Sequence, residues 1–201
     1  MRLLPPPAAA SWVHHGVRSG FEIAFFRQAG DGNRLVGHTT AEEERALWSV
    51  GYDVELDEGW RTRRVRASTV SIDGRHEVLI QRDPQGGWTV DGEPRPDLDG
   101  CVDIDFESSA VTNALPVRRL DPVAGEGIDV PAVFVRAEDL RVERLEQRYT
   151  LRDAARDPLR EGAGDGPSFL YESATFDFSC ELRYDRSGLV LEYPGIAVRH
   201  S

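Results

Sequence analysis

The sequence predicts a mainly β protein built around one long antiparallel sheet, and three observations lead to this fold class. Apolar and polar residues alternate along Ala46–Leu56, which is the period of a strand with one buried face. The same alternation returns between Phe176 and Tyr184. Turn-forming pairs, which are typical of an antiparallel meander, separate many of the other segments: Asp31-Gly32, Asp73-Gly74, Gly86-Gly87, Asp91-Gly92 and Ser187-Gly188.

Eight further segments show strand patterns, and they are Phe21–Arg27, Leu35–Thr40, Thr62–Ile72, Glu77–Gln81, Trp88–Val90, Val102–Phe106, Ile128–Val135 and Leu140–Leu151. The acidic segment Thr40–Ala46 could form one helical turn. Because it leads directly into clean alternation, we predict that the strand continues there instead. In Leu140–Leu151 the apolar residues change parity after Val142, which predicts a bulge or bend that helps the sheet to curl.

One helical segment is predicted, at Ser108–Leu120. Ser108, Ser109 or Thr112 can cap its backbone amides. A proline is tolerated only near the first turn of a helix, so Pro116 has to lie near the start of a second helical half of this segment. The helix is therefore predicted to be short or broken. The segment Asp153–Pro167 is rich in charge, glycine and proline, and we interpret it as a mobile hairpin connection rather than a linker between domains.

The length and charge of the chain limit its function. A chain of 201 residues buries roughly 70% of its extended-state surface on folding, which predicts a single domain over residues 1–201. The net charge of -11 comes from 35 acidic and 24 basic residues and disfavours nucleic acid as a partner. Every basic residue is arginine, so chemistry that needs a lysine Schiff base is excluded.

The sequence offers no sign of export or of a membrane span. Three prolines at Pro5–Pro7 interrupt the helix that a signal peptide needs. No run approaches the roughly 20 apolar residues that cross a bilayer. We therefore expect a cytoplasmic protein, in which Cys101 and Cys180 stay reduced.

Two carboxylates on one predicted strand are the first site candidates. Alternation places Asp103 and Asp105 on the same face, roughly 6.5–7 Å apart, which is within the range used by inverting glycoside hydrolases. Any acidic pair at this spacing on a strand has the same separation, so ion pairing or solvation is the alternative. Arg118 and Arg119 are natural counter-charges for these two carboxylates. They either form ion pairs that attach the helix to the sheet (a structural staple) or contact the polar head group of a ligand.

Other side chains supply further candidates, although no motif predicts a cofactor. Asn113 can satisfy backbone groups in a tight bend. Arg63 lies in a basic cluster that alternation divides between two faces. Tryptophan and tyrosine side chains can stack on sugars or line an apolar pocket. The alternative is that they pack in the hydrophobic core. The five histidines lack metal-ligand spacing, so no metal site is predicted either.

The order of several segments across nearly the whole chain resembles a bacterial glycolipid-binding family that was formerly a domain of unknown function. These segments are Trp60–Arg63, Gly100–Asp105, Thr112–Leu120, Gln147–Thr150 and Gly188–Gly195. The resemblance implies a spiral β-roll, in which a long antiparallel sheet wraps around one short helix, as in lipoprotein carriers. The function in the family's name rests on that shape and is an analogy at the level of the fold.

The first hypothesis is a non-enzymatic protein that holds a glycolipid or a similar amphiphile between the curled sheet and the helix. Its mouth is lined by Trp60, Tyr149 and Tyr193. The polar contacts to the ligand, or the ion-pair network that attaches the helix to the sheet, come from Arg63, Asp103, Asp105, Asn113, Arg118 and Arg119. A sugar-directed hydrolase that uses Asp103 and Asp105 is the second hypothesis, and it needs a cleft open over both carboxylates. A protein-interaction module that uses sheet edges or the acidic face is the third.

Overall fold

A computed structural model describes residues 3–107, 109–154 and 166–201. Most of the predicted connection Asp153–Pro167 and the predicted cap Ser108 therefore lie outside the described residues. The strands are β1 (Ala9–His14), β2 (Ser19–Ala29), β3 (Gly32–Glu43), β4 (Ala46–Leu56), β5 (Thr62–Ser71), β6 (Gly74–Arg82), β7 (Trp88–Val90), β8 (Glu93–Pro94), β9 (Asp103–Phe106), β10 (Gly127–Asp129), β11 (Ala132–Val135), β12 (Val142–Leu145), β13 (Gln147–Asp153), β14 (Ser168–Ser173), β15 (Phe178–Tyr184), β16 (Val190–Tyr193) and β17 (Ala197–Arg199).

Fourteen of these strands pair in one antiparallel sheet, in the order β10-β13-β14-β15-β16-β17-β1-β2-β3-β4-β5-β6-β7-β8. A second sheet has the order β12-β11-β9, and its β9 and β11 are parallel. Leu35 and Ile80 from one half of the large sheet belong to the same hydrophobic core as Phe169 from the other half and Leu115 from the helix. The sheet therefore curls around the helix, which confirms the predicted fold class.

The meander β2–β6 follows the predicted strands closely. In β4, Trp48, Val50, Tyr52, Val54 and Leu56 are buried, as their alternation predicts. The segment Thr40–Ala46 is a strand end and a turn, since β3 runs to Glu43 and both Glu44 and Arg45 have positive φ. Two such residues suit the tight turn of an antiparallel hairpin.

Two predicted strands are each divided between the two sheets. Ile128–Val135 is divided around Pro131, which has no N–H to donate, so β10 pairs in the large sheet and β11 in the small one. Leu140–Leu151 is divided at Glu146, whereas the parity of the apolar residues changes earlier, between Val142 and Leu145 within β12. At Glu146 the chain passes from β12 in the small sheet to β13 in the large one.

The helical segment is shorter than predicted. One 3-10 turn at Val111–Asn113 leads into α1 (Ala114–Arg119). The backbone amides of Ala110 and Val111 donate to the carboxylate of Glu22 in β2, at 2.7 and 3.3 Å. A side chain from a distant strand therefore satisfies the start of the segment. No helix in the described part of the chain is long and apolar enough to cross a membrane.

Candidate functional site

A cleft of about 410 Å³ lies between the small sheet with the helical segment on one side and the ends of β14, β15 and β16 on the other. We call it the Asp105 cleft. Its lining includes Asp105, Asn113, Phe134, Tyr171, Ser173, Phe176 and Tyr193. Small-molecule sites are typically concave and mostly apolar with a few convergent polar groups, and this cleft has that composition.

Asp105 lies in β9 and is only 8% exposed. Its carboxylate accepts a hydrogen bond from Thr112 Oγ1 at 2.6 Å. Burial, which disfavours the charged form, raises the pKa of Asp105 to about 7. The buried carboxylates Asp103 and Glu22 act in the same direction, so Asp105 changes charge near neutral pH.

Phenol groups surround the inner part of the cleft. The Tyr149 hydroxyl donates to Asn113 Oδ1 at 2.9 Å, which fixes the amide of Asn113 beside the cleft. Tyr171 and Tyr193 contact each other edge to face, with their ring centroids 5.9 Å apart. The hydroxyls of Tyr171 and Tyr193 are also close together, so the inner wall presents several hydroxyl groups.

Aromatic rings and ion pairs form the outer part of the cleft. The Phe134 and Phe176 rings meet edge to face, with centroids 5.4 Å apart. The Arg136 guanidinium lies over both rings at 5.1 and 5.4 Å, as in a cation–π contact. It also pairs with Glu107 and Glu143 at 2.9 and 3.0 Å, so these ion pairs hold the outer rings in place.

The predicted acidic pair does not act as a pair. The sequence leaves one face of β9 to solvent or to ion pairs, whereas all four residues of β9 are buried, because the strand is covered on both faces. Asp103 is 1% exposed and pairs with Arg119, with 2.5 Å between Nη2 and Oδ2. The structural staple thus involves one carboxylate and one arginine, and only Asp105 faces the cleft.

Three of the other predicted site residues lie elsewhere. Trp60 and Arg118 line a second groove of about 580 Å³ that shares no lining residue with the Asp105 cleft. There the Arg118 guanidinium lies 4.1 Å from the centroid of the Trp60 ring. Arg63 is exposed and pairs with Asp31 at 3.1 Å, and Asp31 lines the same groove.

The two predicted tyrosines also differ in position. Tyr149 is 1% exposed and belongs to the core rather than to a mouth, because its ring packs against Phe169 and Tyr171. Tyr193 is 8% exposed and lines the cleft. Of the nine predicted residues, Asp105, Asn113 and Tyr193 are therefore the ones that the structure brings to the cleft.

Glu22 was not predicted, although it is fully buried beside the cleft. Its carboxylate accepts hydrogen bonds from Tyr52 Oη at 2.8 Å and Ser109 Oγ at 2.5 Å, in addition to the two amides at the start of the helical segment. Burial raises the pKa of Glu22. The sequence does contain a signal, because Glu22 has the same strand parity as the buried Ala24 and Phe26.

The chain is similar to known proteins along its whole length. A protein family described as "Putative glycolipid-binding" matches residues 9–199. A DUF1089 family protein from Pseudomonas aeruginosa is 27% identical over 100% of this chain and 97% of its own, with a TM-score of 0.73. A beta-barrel-like protein of the domain of unknown function DUF1849 from Brucella abortus is 10% identical over 98% and 96%, with a TM-score of 0.52, and shares the fold alone. A search of curated proteins found no match.

Proposed function

The chain belongs to the family described as "Putative glycolipid-binding", and from this premise we propose that it binds a glycolipid or a related amphiphile in the Asp105 cleft. The observation that carries the proposal is the combination of an aromatic wall with buried polar groups in one concave site. Aromatic rings support both sugar faces and acyl chains. The polar groups fix the orientation of the ligand.

Binding without chemistry accounts for the acidic residues better than hydrolysis does. A glycoside hydrolase needs two carboxyl groups that both reach the substrate. Asp103 is buried against Arg119, and Glu22 already accepts four hydrogen bonds. The other two carboxylates that line the cleft, Glu43 and Glu107, pair with Arg18 and Arg136. Among the described lining residues, Asp105 therefore has no second unpaired carboxylate beside it.

The role of the second groove, the cytoplasmic location and the protein-interaction module stay predictions. The second groove, which is lined by Trp60 and Arg118 and whose Asp31 pairs with Arg63, is a candidate for further polar contacts of the ligand. A cytoplasmic location and a protein-interaction module are tested by cell fractionation and by sedimentation of the purified chain, respectively.

The proposal is tested by titrating the protein with a short alkyl glucoside below its micelle concentration, followed by NMR chemical-shift changes. We expect shifts at the Asp105 cleft and a roughly tenfold loss of affinity in Phe176→Ala, because burying an aromatic ring contributes about 1–2 kcal/mol. Phe25→Ala is the matched control, since Phe25 and Phe176 are both 43% exposed but Phe25 does not line the cleft. Equal losses in the two variants, or no saturable binding, would contradict the proposal.

A further inference from the structure

The polarity of the Asp105 cleft changes with depth in an unexpected direction. The two most exposed side chains of the lining are apolar, since Val17 is 57% and Phe176 is 43% exposed. The charged residues of the lining are partly exposed and pair with one another, Arg18 with Glu43 and Arg136 with Glu107. Many of the buried lining residues carry polar groups, among them Asp105, Asn113 and Ser173 at 8%, 3% and 2%. A pocket that buried an acyl chain at its base and exposed a head group would show the reverse order.

Two buried polar atoms on β13 and β14 have no hydrogen bond of normal geometry among the described residues, and one of them, on Ser173, lies in the lining of the cleft. They are Ser173 Oγ, which has the Tyr171 hydroxyl nearby, and Gln147 Oε1. Ser173 and Gln147 are directly opposite each other on β14 and β13, so both side chains lie on the inner face of the sheet. An unpaired buried polar atom is costly. A ligand that brings a hydroxyl group into the cleft would satisfy Ser173 Oγ, whereas Gln147 lines a neighbouring groove.

The charges of the cleft disfavour an anion at its base. The carboxylate of Asp105 accepts from a threonine hydroxyl rather than from an arginine. The two arginines of the cleft, Arg18 and Arg136, pair with Glu43 and with Glu107, respectively. Among the described residues of the lining, a phosphate or sulfate would therefore meet a carboxylate with no free cation beside it, whereas a sugar hydroxyl could donate to that carboxylate.

We infer that the Asp105 cleft binds its amphiphile head first. An uncharged, hydroxyl-rich group, which is a sugar in chemical class, occupies the base beside Asp105, Ser173 and the Tyr171 and Tyr193 hydroxyls. The apolar chain leaves past Phe176 toward the surface. The inference rests on the proposed function and adds the orientation of the ligand and the uncharged character of its head group.

The first experiment separates the head group from the chain. The protein is titrated calorimetrically with octyl glucoside and with octyl sulfate, which carry the same chain. We expect at least tenfold tighter binding of octyl glucoside. Ser173→Ala should weaken octyl glucoside about three- to tenfold and leave octyl sulfate unchanged. Ser179→Ala is the matched control, because Ser179 is exposed on the neighbouring strand.

The second experiment tests orientation by paramagnetic broadening of NMR signals. A nitroxide at the end of the alkyl chain should broaden the methyl signals of Val17, and a nitroxide on the glucose ring should broaden the side-chain amide of Asn113. The reverse pattern would overturn the head-first orientation. Equal affinity for both head groups would overturn the sugar class and leave amphiphile binding standing. If neither ligand binds, the proposed function itself fails.

Discussion

Replacing Asp105 by asparagine should stabilise the protein at neutral to alkaline pH. The carboxyl group has its pKa raised from 3.8 to about 7 because it is buried. At about 1.36 kcal/mol per pKa unit, holding the charged form at about pH 8 costs ~4 kcal/mol. Asparagine retains an oxygen that can accept from Thr112 Oγ1, but its amide hydrogens need new acceptors, so we expect a net gain of about 1–3 kcal/mol.

The sign of the effect follows from proton binding. Between about pH 4 and 7 the folded protein keeps the Asp105 proton that the unfolded chain releases. The contribution of Asp105 to stability is therefore complete below about pH 4 and is lost as the pH rises through about 7. Glu22 and Asp103, whose pKa values burial also raises, are present in both proteins. The difference between wild type and variant isolates Asp105.

Urea unfolding at several pH values between about 4 and 8 measures this difference. The gain in Asp105→Asn should be small at the acidic end and largest at the alkaline end. Asp73→Asn, which removes a negative charge from the exposed turn between β5 and β6, is the control for net charge. A gain that does not depend on pH, or a loss at about pH 8, would refute the argument from burial.

Three further substitutions test other contacts. Glu22→Ala should lower the free energy of unfolding by about 2–4 kcal/mol, because four buried donors lose their acceptor; denaturant unfolding measures the loss. Arg119→Leu should cost about 3–5 kcal/mol by leaving Asp103 buried without its partner, and adding Asp103→Asn should recover part of this in a double-mutant cycle. Tyr149→Phe should cost about 1 kcal/mol through the lost hydrogen bond to Asn113, which denaturant unfolding also measures.

The long hairpins could be predicted because their burial is one-sided. Along β4 every second residue faces the core. The turn before β4 contains the positive-φ pair Glu44 and Arg45, and the turn after it contains the positive-φ residue Trp60. Such a pattern is local, so the sequence contains all that is needed to recognise it. The predicted start at Phe176 is the exception, since Phe176 contacts Phe134 of the small sheet from a turn and β15 begins at Phe178.

The strands β1 and β17 were not predicted, because their pairing is not local. Trp12 lies opposite Arg199 in the ladder that joins the two ends of the chain. In β1 the residues Ala10, Ser11 and Trp12 are all buried, which removes the alternation that identifies a strand. The strand β9 was predicted as part of Val102–Phe106, but the solvent-exposed face that the sequence predicts for it is wrong, because all four of its residues are buried. Local patterns do not report what covers a strand.

The site was only partly predictable for a related reason. Adjacent arginines look equivalent in sequence, yet Arg119 turns toward Asp103 whereas Arg118 lies over Trp60 in another groove. The direction of each side chain depends on where a six-residue helix ends. The transfers of the chain at Pro131 and Glu146 place the small sheet opposite the large one, and the cleft lies between them.

Three buried polar residues differ in the number of hydrogen-bond partners that they have within the protein. This difference separates a residue that stabilises the fold from residues that are available to a ligand. Glu22 accepts four hydrogen bonds and holds the start of the helical segment. Asp105 has one side-chain partner, and Ser173 Oγ has none of normal geometry among the described residues. Since folding tolerates few unsatisfied buried groups, those that persist in a cleft are where a ligand gains most by binding. The side chains that best identify the site are therefore the ones that the fold satisfies least.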